Sequence, residues 1–214
     1  VLKACLLEAG YSDEIRHTVD IDANWYSEVL PTAEGMTESL QKALDKNGIG
    51  LEAHLYRMYG EGRSAGFELK DKSTGEVLFS MDIDVNRPVP PTQIYEIAEF
   101  RFRGVSPAQM LADKVYVLST DKIFRRIKDV VDLYYLSKVF PFNNAVVLQT
   151  LKNNRRALDT FHGFLHRRDE LKHAYEKFRF TGGVDKPPFN EVYSVVKAYI
   201  KDILPREQHR DFER

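Results

Sequence analysis

The hydrophobic and polar positions change their period about halfway along the chain. Up to about residue 104, the apolar positions alternate or fall in short runs rich in β-branched and aromatic residues, which predicts strands. The predicted strands are "HTVDIDANW" (17–25), "LEAHLYRMYG" (51–60), "AGFELKD" (65–71), "VLFSMDIDV" (77–85) and "IYEIAEFRF" (94–102). A helix is predicted from about Thr32 to Lys46, with Asn47 and Gly48 at its end. "DKSTGE" is predicted as a turn, and "NRPVPPTQ", with three prolines, as a loop.

After residue 104 the apolar residues recur at helical spacing. Ser106 is predicted as an N-cap with Pro107 at the first helical position of "SPAQMLADKVYVL". The other predicted helices are "RRIKDVVDLYYLSKVF", "NNAVVLQTLKNNRRALDTFHGFL", "RRDELKHAYEKF" and "FNEVYSVVKAYIKDIL". We therefore predict two domains: an α/β core over residues 1–104 and a helical domain over residues 105–214.

Composition narrows the class of protein. The chain has 214 residues, 43% hydrophobic and 29% charged, with a formal net charge of −1, so nucleic-acid binding would need a local basic patch. A single cysteine, Cys5, cannot form an internal disulfide or a zinc cluster, which favours a reducing, cytoplasmic setting. No run approaches 18 uninterrupted apolar residues, so we predict no membrane span. The chain opens with Val inside an apolar element, which indicates that upstream residues are missing.

Two D-x-D pairs are the strongest chemical feature. Residues i and i+2 of a strand share a face, so Asp20 and Asp22 are predicted on one face, and Asp82 and Asp84 on one face of a later strand. Carboxylates so close repel one another unless a cation joins them, and Mg²⁺ is the natural cation for carboxylates beside phosphate oxygens. If the strands are neighbours, the acids converge on one or two divalent ions. The alternative is a solvated acidic strand face.

Several basic residues accompany these acids. Lys114 falls on a largely apolar helix face, where it either extends its ammonium to solvent or reaches an anion. Further along, Lys128 and Asp132 have the (i, i+4) spacing of a helix-surface ion pair, and Asp129 and Asp132 lie one turn apart. These two carboxylates could orient the basic residues, approach a metal ion or be solvated.

A basic stretch runs from Lys152 to Arg179, with eight Lys or Arg against four Asp or Glu, a local charge of +4. Histidine and aromatic residues are interspersed in it: His162, His166, His173, Phe161, Phe164, Tyr175 and Phe178. A basic helical face would suit an RNA substrate. The alternative is a solvated face over an aromatic core. The histidines lack the spacing of a zinc site.

Taken in order, four segments resemble the AbiEii/MenT-type nucleotidyltransferases, the toxins of a group of bacterial toxin–antitoxin systems. "RHTVDID" resembles that family's R-x-T-x-D-[IL]-D strand, and "FSMDIDV" its later acidic strand. "SPAQMLADKVYVL" is similar to the helix with a characteristic lysine. "RRIKDVVDLYYL" matches the [RK]-D-x-x-D-L-Y-x-L helix, the most specific of the set. The resemblance covers nearly the whole chain.

This resemblance implies an α+β fold, with a nucleotidyltransferase-type mixed β-sheet core and flanking helices followed by a C-terminal helical domain. It implies transfer of an NMP from an NTP, with release of pyrophosphate, to a hydroxyl of tRNA, another RNA or a protein. The implied metal ligands are Asp20, Asp22 and Asp84, holding one or two Mg²⁺ ions, and the implied catalytic residues are Asp84, Lys114 and Asp129. The implied nucleotide contacts are Lys3, Arg16, Thr18, Lys114, Arg126 and Lys128. An antitoxin is the implied partner, with no stable complex required, and no membrane is implied.

One departure from the family pattern concerns the triphosphate. The family has a Gly-Gly or Gly-Ser turn after its first strand, and the matching residues here are Ala4 and Cys5, after Lys3. Glycine permits close backbone approach to phosphate, which alanine and cysteine restrict. Two alternatives to an active enzyme are open, and this departure supports the first of them. One is a weak or inactive nucleotidyltransferase-fold protein that binds nucleotide or RNA, and the other is a plain RNA-binding or interaction module with solvated acids.

Overall fold

The computed structural model describes residues 1–11, 20–25, 31–59, 64–85, 90–97, 100–180 and 185–205. The strands are β1 (Asp20–Asn24), β2 (Leu51–Tyr59), β3 (Ser64–Asp71), β4 (Val77–Asp84), β5 (Thr92–Ile97) and β6 (Phe100–Val105). The helices are α1 (Leu2–Glu8), α2 (Ala33–Lys46), α3 (Pro107–Ser119), α4 (Ile127–Leu136), α5 (Asn144–Asn153), α6 (His162–His166), α7 (Arg168–Lys177) and α8 (Phe189–Tyr199). Among these residues, no helix is long and apolar enough to cross a membrane.

The chain divides into two compact units. A sheet unit comprises His17–Val89, and a helical unit comprises Val1–Arg16 together with Pro90–Arg214. The boundaries of these units differ from those of the predicted domains, because α1 and the β5–β6 pair pack with the C-terminal helices. The predicted division at residue 104 stays a prediction.

The sheet unit is a four-stranded mixed sheet of order β1-β4-β3-β2. Strand β1 runs parallel to β4, whereas β3 is antiparallel to both of its neighbours. Helix α2 covers one face, and it begins where the Thr32 side chain accepts a hydrogen bond of 3.0 Å from the Gly35 N–H. The core between helix and sheet is formed by Met36, Leu44, Ala53, Ala65, Phe67, Leu69 and Ile83.

The helical unit is built around α3 and α4. The Ser106 side chain caps α3 at the Gln109 N–H, with Pro107 at the first helical position as predicted. Nine of the ten residues of α4 are buried, which makes it the central helix of this unit. The apolar core includes Leu6, Val115, Leu118, Leu133, Phe164, Leu171 and Val196.

Three local predictions need correction. The segment "IYEIAEFRF" is two strands, β5 and β6, paired antiparallel from Thr92↔Val105 to Ile97↔Phe100, so Thr92 and Gln93 lie in a strand and not in the predicted loop. The long predicted helix over residues 143–165 is α5 and α6, separated by residues 154–161. The expected turn at Ala4 and Cys5 is helical: both side chains are 1% exposed, because Leu2, Cys5 and Leu6 have the (i, i+3, i+4) spacing of a buried helix face.

Helix α5 ends in a left-handed residue that is not glycine. Arg155 has φ +54° and follows the C-cap Asn154. The hydrogen bonds Arg155 N–H to Lys152 O and Arg156 N–H to Leu151 O, at 3.0 and 2.9 Å, form the Schellman pattern, whose C′ position glycine normally occupies. An L-residue there costs roughly 1 to 2 kcal/mol.

We expect Arg155→Gly to stabilise the protein. The relief of left-handed strain outweighs the greater entropy of glycine in the unfolded chain, so unfolding should become less favourable by about 0.5 to 1 kcal/mol. Urea titration followed by circular dichroism measures the change. Arg155→Ala, which keeps a Cβ, is the control, and equal stability of the two variants would contradict this account.

Candidate active site

The pairing of β1 with β4 brings acidic positions side by side. Asp22 is the register partner of Asp82, and Asn24 that of Asp84, in a parallel pair. Parallel neighbours in register point to the same face. Ala23 and Ile83, one position along, pack against the core, so the acidic positions occupy the face opposite α2. We call this the acid face.

Asp82 is held by an arginine from the far edge of the described sheet. The Arg57 Nη2 donates to both Asp82 carboxylate oxygens at 3.1 Å. Arg57 is paired with Gly66 on β3, and Gly66 with Asp82 on β4, so the side chain crosses over Gly66. The Asp82 hydrogen bond and charge raise the pKa of Arg57, and the guanidinium also lies 5.1 and 5.2 Å from the ring centroids of Tyr56 and Tyr59.

Asp84 has a different partner. The buried Ser64 hydroxyl donates to one Asp84 oxygen at 3.0 Å, and both residues are register partners on β3 and β4. Tyr59 is next in this row, paired with Ser64. Burial raises the pKa of Tyr59, and the charges of Asp82, Asp84 and Asp22 raise it further, whereas Arg57 opposes them. These influences show that the three carboxylates share one electrostatic neighbourhood.

The carboxylate oxygens of the acid face are the type of donor that a hard divalent cation prefers. Asp22 is exposed and Asp84 is partly exposed. Within the described part of the chain, no group of three His, Cys, Asp or Glu side chains is placed to hold a metal ion. Asp20 is described only by its backbone, paired with Ser80. The predicted ligand set Asp20, Asp22 and Asp84 therefore stays a prediction.

A second charged cluster lies inside the helical unit. The Lys114 ammonium, on α3, donates to Asp129 at 3.0 Å and to Asp132 at 2.6 Å, both on α4. Arg126 Nε donates to the other Asp129 oxygen at 3.0 Å. The side chains of both aspartates are only 3% exposed and that of Lys114 is 12% exposed. The Lys114 ammonium therefore reaches an anion, and it does not extend to solvent.

Opposed influences set the protonation of this cluster. Burial favours the neutral forms, but the Asp132 and Asp129 charges outweigh it and raise the pKa of Lys114. Burial likewise raises the pKa of Asp129, and Lys114 and Arg126 outweigh it to give a net lowering. Both shifts favour the charged forms of Lys114 and Asp129 at neutral pH. Of the three Lys114 N–H donors, two are used by the carboxylates, and the third has no acceptor among the residues that the structure describes.

The other predicted nucleotide contacts are distributed over the chain. Lys3 lies on the short helix α1, Arg126 at the N-cap of α4 and Lys128 within α4. Arg16 and Thr18 lie outside the described residues. Lys114, Asp129 and Arg126 come together as described, and their participation in one site with Asp22 and Asp84 stays a prediction. Sequence reasoning missed Arg57, Ser64 and Gly66, for which only strand pairing provides a signal.

Three of the eight basic side chains in the stretch from Lys152 to Arg179 form ion pairs. Arg156 contacts Asp113 at 2.7 Å, Arg167 contacts Glu170 at 2.6 Å, and Lys172 lies 3.8 Å from Glu176. Its aromatic residues Phe161, Phe164 and Tyr175 are at most 2% exposed. The structure thus places these rings in the core and not on a stacking surface.

A comparison with protein families matches residues 4–202 to the model described as "Nucleotidyl transferase AbiEii toxin, Type IV TA system". The chain belongs to the AbiEii family. Its mixed sheet and flanking helices agree with the predicted α+β nucleotidyltransferase fold, and the family is one of nucleotidyltransferase toxins. No curated protein matches the chain significantly.

For this AbiEii-family chain, we expect Lys114→Met to be strongly destabilising. The substitution leaves Asp129 and Asp132 buried without their shared cation, and breaking a buried pair in this way costs about 3 to 5 kcal/mol. Urea unfolding at pH 7 measures the loss. Lys201→Met, at an exposed position, is the control and should change stability by less than about 0.5 kcal/mol. Equal effects of the two substitutions would contradict a structural role for Lys114.

The same cluster predicts a pH dependence. The folded pKa of Asp129 lies below its ordinary 3.8, so its stabilising contribution is complete above about pH 4 and is lost as the pH falls through the lowered value. The pKa of Lys114 is raised above 10.5, so its contribution persists below that pH and is lost above it. We expect the stability difference between wild type and Lys114→Met to shrink at pH 3, because a protonated Asp129 is easier to bury. A difference that is constant from pH 7 to pH 3 would refute this coupling.

Proposed function

We propose that this AbiEii-family chain is a Mg²⁺-dependent nucleotidyltransferase that moves an NMP from an NTP to a hydroxyl of tRNA, another RNA or a protein. In this reaction the acceptor oxygen bonds to the α-phosphorus, the bond to pyrophosphate breaks, and the hydroxyl loses its proton. The toxic outcome would follow from modification of the acceptor. The antitoxin would oppose it without a stable complex.

The observation that carries this proposal is the register of β1 with β4. It sets Asp22 beside Asp82, and Asn24 beside Asp84, on the one sheet face that α2 leaves uncovered. A row of acids facing away from the core is unfavourable for folding alone, since like charges on adjacent strands repel. Binding of a cation and a polyphosphate at this face would explain why the acids are placed there.

The roles follow from the environment of each residue. Asp22 and Asp84, with Asp20, are the proposed metal ligands, and Asp84 is the proposed base for the acceptor hydroxyl. The Ser64 hydroxyl, buried and donating to Asp84, fixes the orientation of that carboxylate. When bound, Mg²⁺ would supply Lewis-acid activation of the hydroxyl and charge neutralisation at the leaving pyrophosphate. Lys114 and Asp129 are retained as proposed catalytic residues, and Lys3, Arg16, Thr18, Arg126 and Lys128 as proposed nucleotide contacts.

A cleft of about 830 Å³ in the helical unit is the proposed surface for an RNA acceptor. Its charged lining residues are the cations Arg125, Arg167 and Lys177 and the acids Asp121, Asp169 and Glu170, with His173 and Phe124 beside them. Arg167 is paired with Glu170, which leaves Arg125 and Lys177 as the cations best suited to phosphate. The affinity of this cleft for RNA should therefore fall as the salt concentration rises.

One observation favours the alternative of an inactive, nucleotide-binding member of the family. The segment Lys3-Ala4-Cys5 is helical, and Ala4 and Cys5 are buried, so it offers no glycine turn to a triphosphate. An inactive protein would bind NTP at the acid face without transferring its NMP.

The decisive experiment is incubation with each α-labelled NTP, Mg²⁺ and bulk tRNA. We expect label to enter an RNA or protein acceptor, and Asp22→Ala to reduce transfer by more than about a hundredfold, because the loss of a metal ligand exceeds the usual effect of its outer-shell partners. Asp45→Ala is the matched control, since Asp45 is an exposed acid of the same unit on α2, and it should retain activity.

The possible outcomes separate the alternatives. NTP binding by calorimetry without transfer would support the inactive, nucleotide-binding alternative. Neither binding nor transfer with any nucleotide would refute the proposed function. Transfer that survives Asp22→Ala would remove the acid face from the site.

A further inference from the structure

A β-bulge in β2 turns Arg57 toward the acid face. Leu51, Ala53 and Leu55 alternate toward the core, and continued alternation would send Arg57 to the same side. The pairing shifts between Leu55↔Phe67 and Arg57↔Gly66, so Tyr56 is the extra residue and the parity changes. Bulges commonly re-aim a side chain next to a functional site.

Gly66 keeps the path of Arg57 clear. A Cβ built at Gly66 would lie 2.8 Å from the Tyr56 ring and 2.9 Å from both Cγ and Nε of Arg57. Any other residue at position 66 would therefore force the Tyr56 or Arg57 side chain to move. Two separate backbone features, the bulge and this glycine, thus produce one placement.

The guanidinium retains donors for a ligand. It carries five N–H donors, and the contact with Asp82 uses Nη2 alone, which leaves three on Nε and Nη1. None of these three donates to an acceptor among the residues that the structure describes, and the side chain is 52% exposed. Two tyrosine rings flank it. An ion pair that served stability alone would need neither the bulge nor the clearance over Gly66, and at this exposure it would contribute little.

We propose that Arg57 binds the triphosphate of the NTP at the acid face, with Asp82 as the positioning residue that holds it there. This inference rests on the proposed function. Arginine suits a phosphate because its planar donors match two oxygens at once. Asp82, although it shares the D-x-D pattern with Asp84, is engaged with Arg57 and is not a metal ligand in this assignment.

The test measures NTP binding and steady-state transfer in Arg57→Gln and Arg57→Lys. Arg57→Gln should raise the Kd and KM for NTP about tenfold, with kcat within about threefold, and Arg57→Lys should fall between it and wild type. Gly66→Ala, which alters no charge, should raise the NTP KM through displacement of Arg57. Arg101→Gln is the matched control, because Arg101 is an exposed arginine 3.5 Å from Glu96 in the other unit.

Asp82→Asn separates the two roles for that acid. If Asp82 positions Arg57, the variant raises the NTP KM and leaves the Mg²⁺ concentration for half-maximal activity unchanged. A large rise in that Mg²⁺ concentration would make Asp82 a metal ligand and overturn its assignment. Thermal melts of every variant identify misfolding. If Gly66→Ala fails to fold, Arg57→Lys, which keeps the charge, still tests whether Arg57 binds the triphosphate.

The failure of this inference is distinct from failure of the proposed function. If wild type binds and transfers NTP, but Arg57→Gln has the same NTP Kd and KM as wild type, Arg57 is not a triphosphate ligand and only this inference is overturned. If wild type neither binds nor transfers any NTP, the proposed function fails and the assignment of Arg57 fails with it.

Discussion

Repulsion between carboxylates on one face of a four-stranded sheet is the constraint on which the rest of the sheet unit depends. Neighbouring strands lie about 4.8 Å apart, so Asp22 and its register partner Asp82 oppose one another at a distance where their repulsion is about 1 kcal/mol even in water. The three carboxylates differ in how their charge is compensated. Arg57 compensates Asp82, the Ser64 hydroxyl satisfies one oxygen of Asp84, and Asp22 is left exposed to solvent. Asp82 is thus the carboxylate that the Arg57 guanidinium neutralises, whereas Asp22 faces solvent.

The helical unit treats its acids in the opposite way. Asp129 and Asp132 are buried, and Lys114 between them brings a compensating charge into the core. Desolvation makes such a cluster costly to form and more costly to break, so its members are held rigidly. Loss of activity in a Lys114 variant would therefore be ambiguous unless folding were measured alongside it. An ammonium that gives two of its three donors to buried carboxylates is held in one orientation.

Much of this arrangement is visible in the sequence, and the reason differs from element to element. The alternation of "VLFSMDIDV" fixes which face carries Asp82 and Asp84, because strand period is a local property. The Ser106 cap and the helical period of α3 and α4 are equally local, and both were predicted. The partner of Lys114 was not, since two helices must first pack before its ammonium meets α4. The β5–β6 pair was missed because a continuous run of strand-forming residues contains no signal for a reversal.

The bulge at Tyr56 shows why the acid face could not be completed from the sequence. Alternation along β2 assigns Arg57 to the core side, which is the wrong face by one residue, and only the cross-strand register reveals the change of parity. Gly66 has no pattern of its own, and its meaning appears only when a side chain from β2 is seen to pass over it. Both departures from regular strand geometry serve the same arginine. The bulge at Tyr56 and the glycine at position 66 are two departures from regular strand geometry, and together they place Arg57 on the acid face. This placement requires a functional explanation.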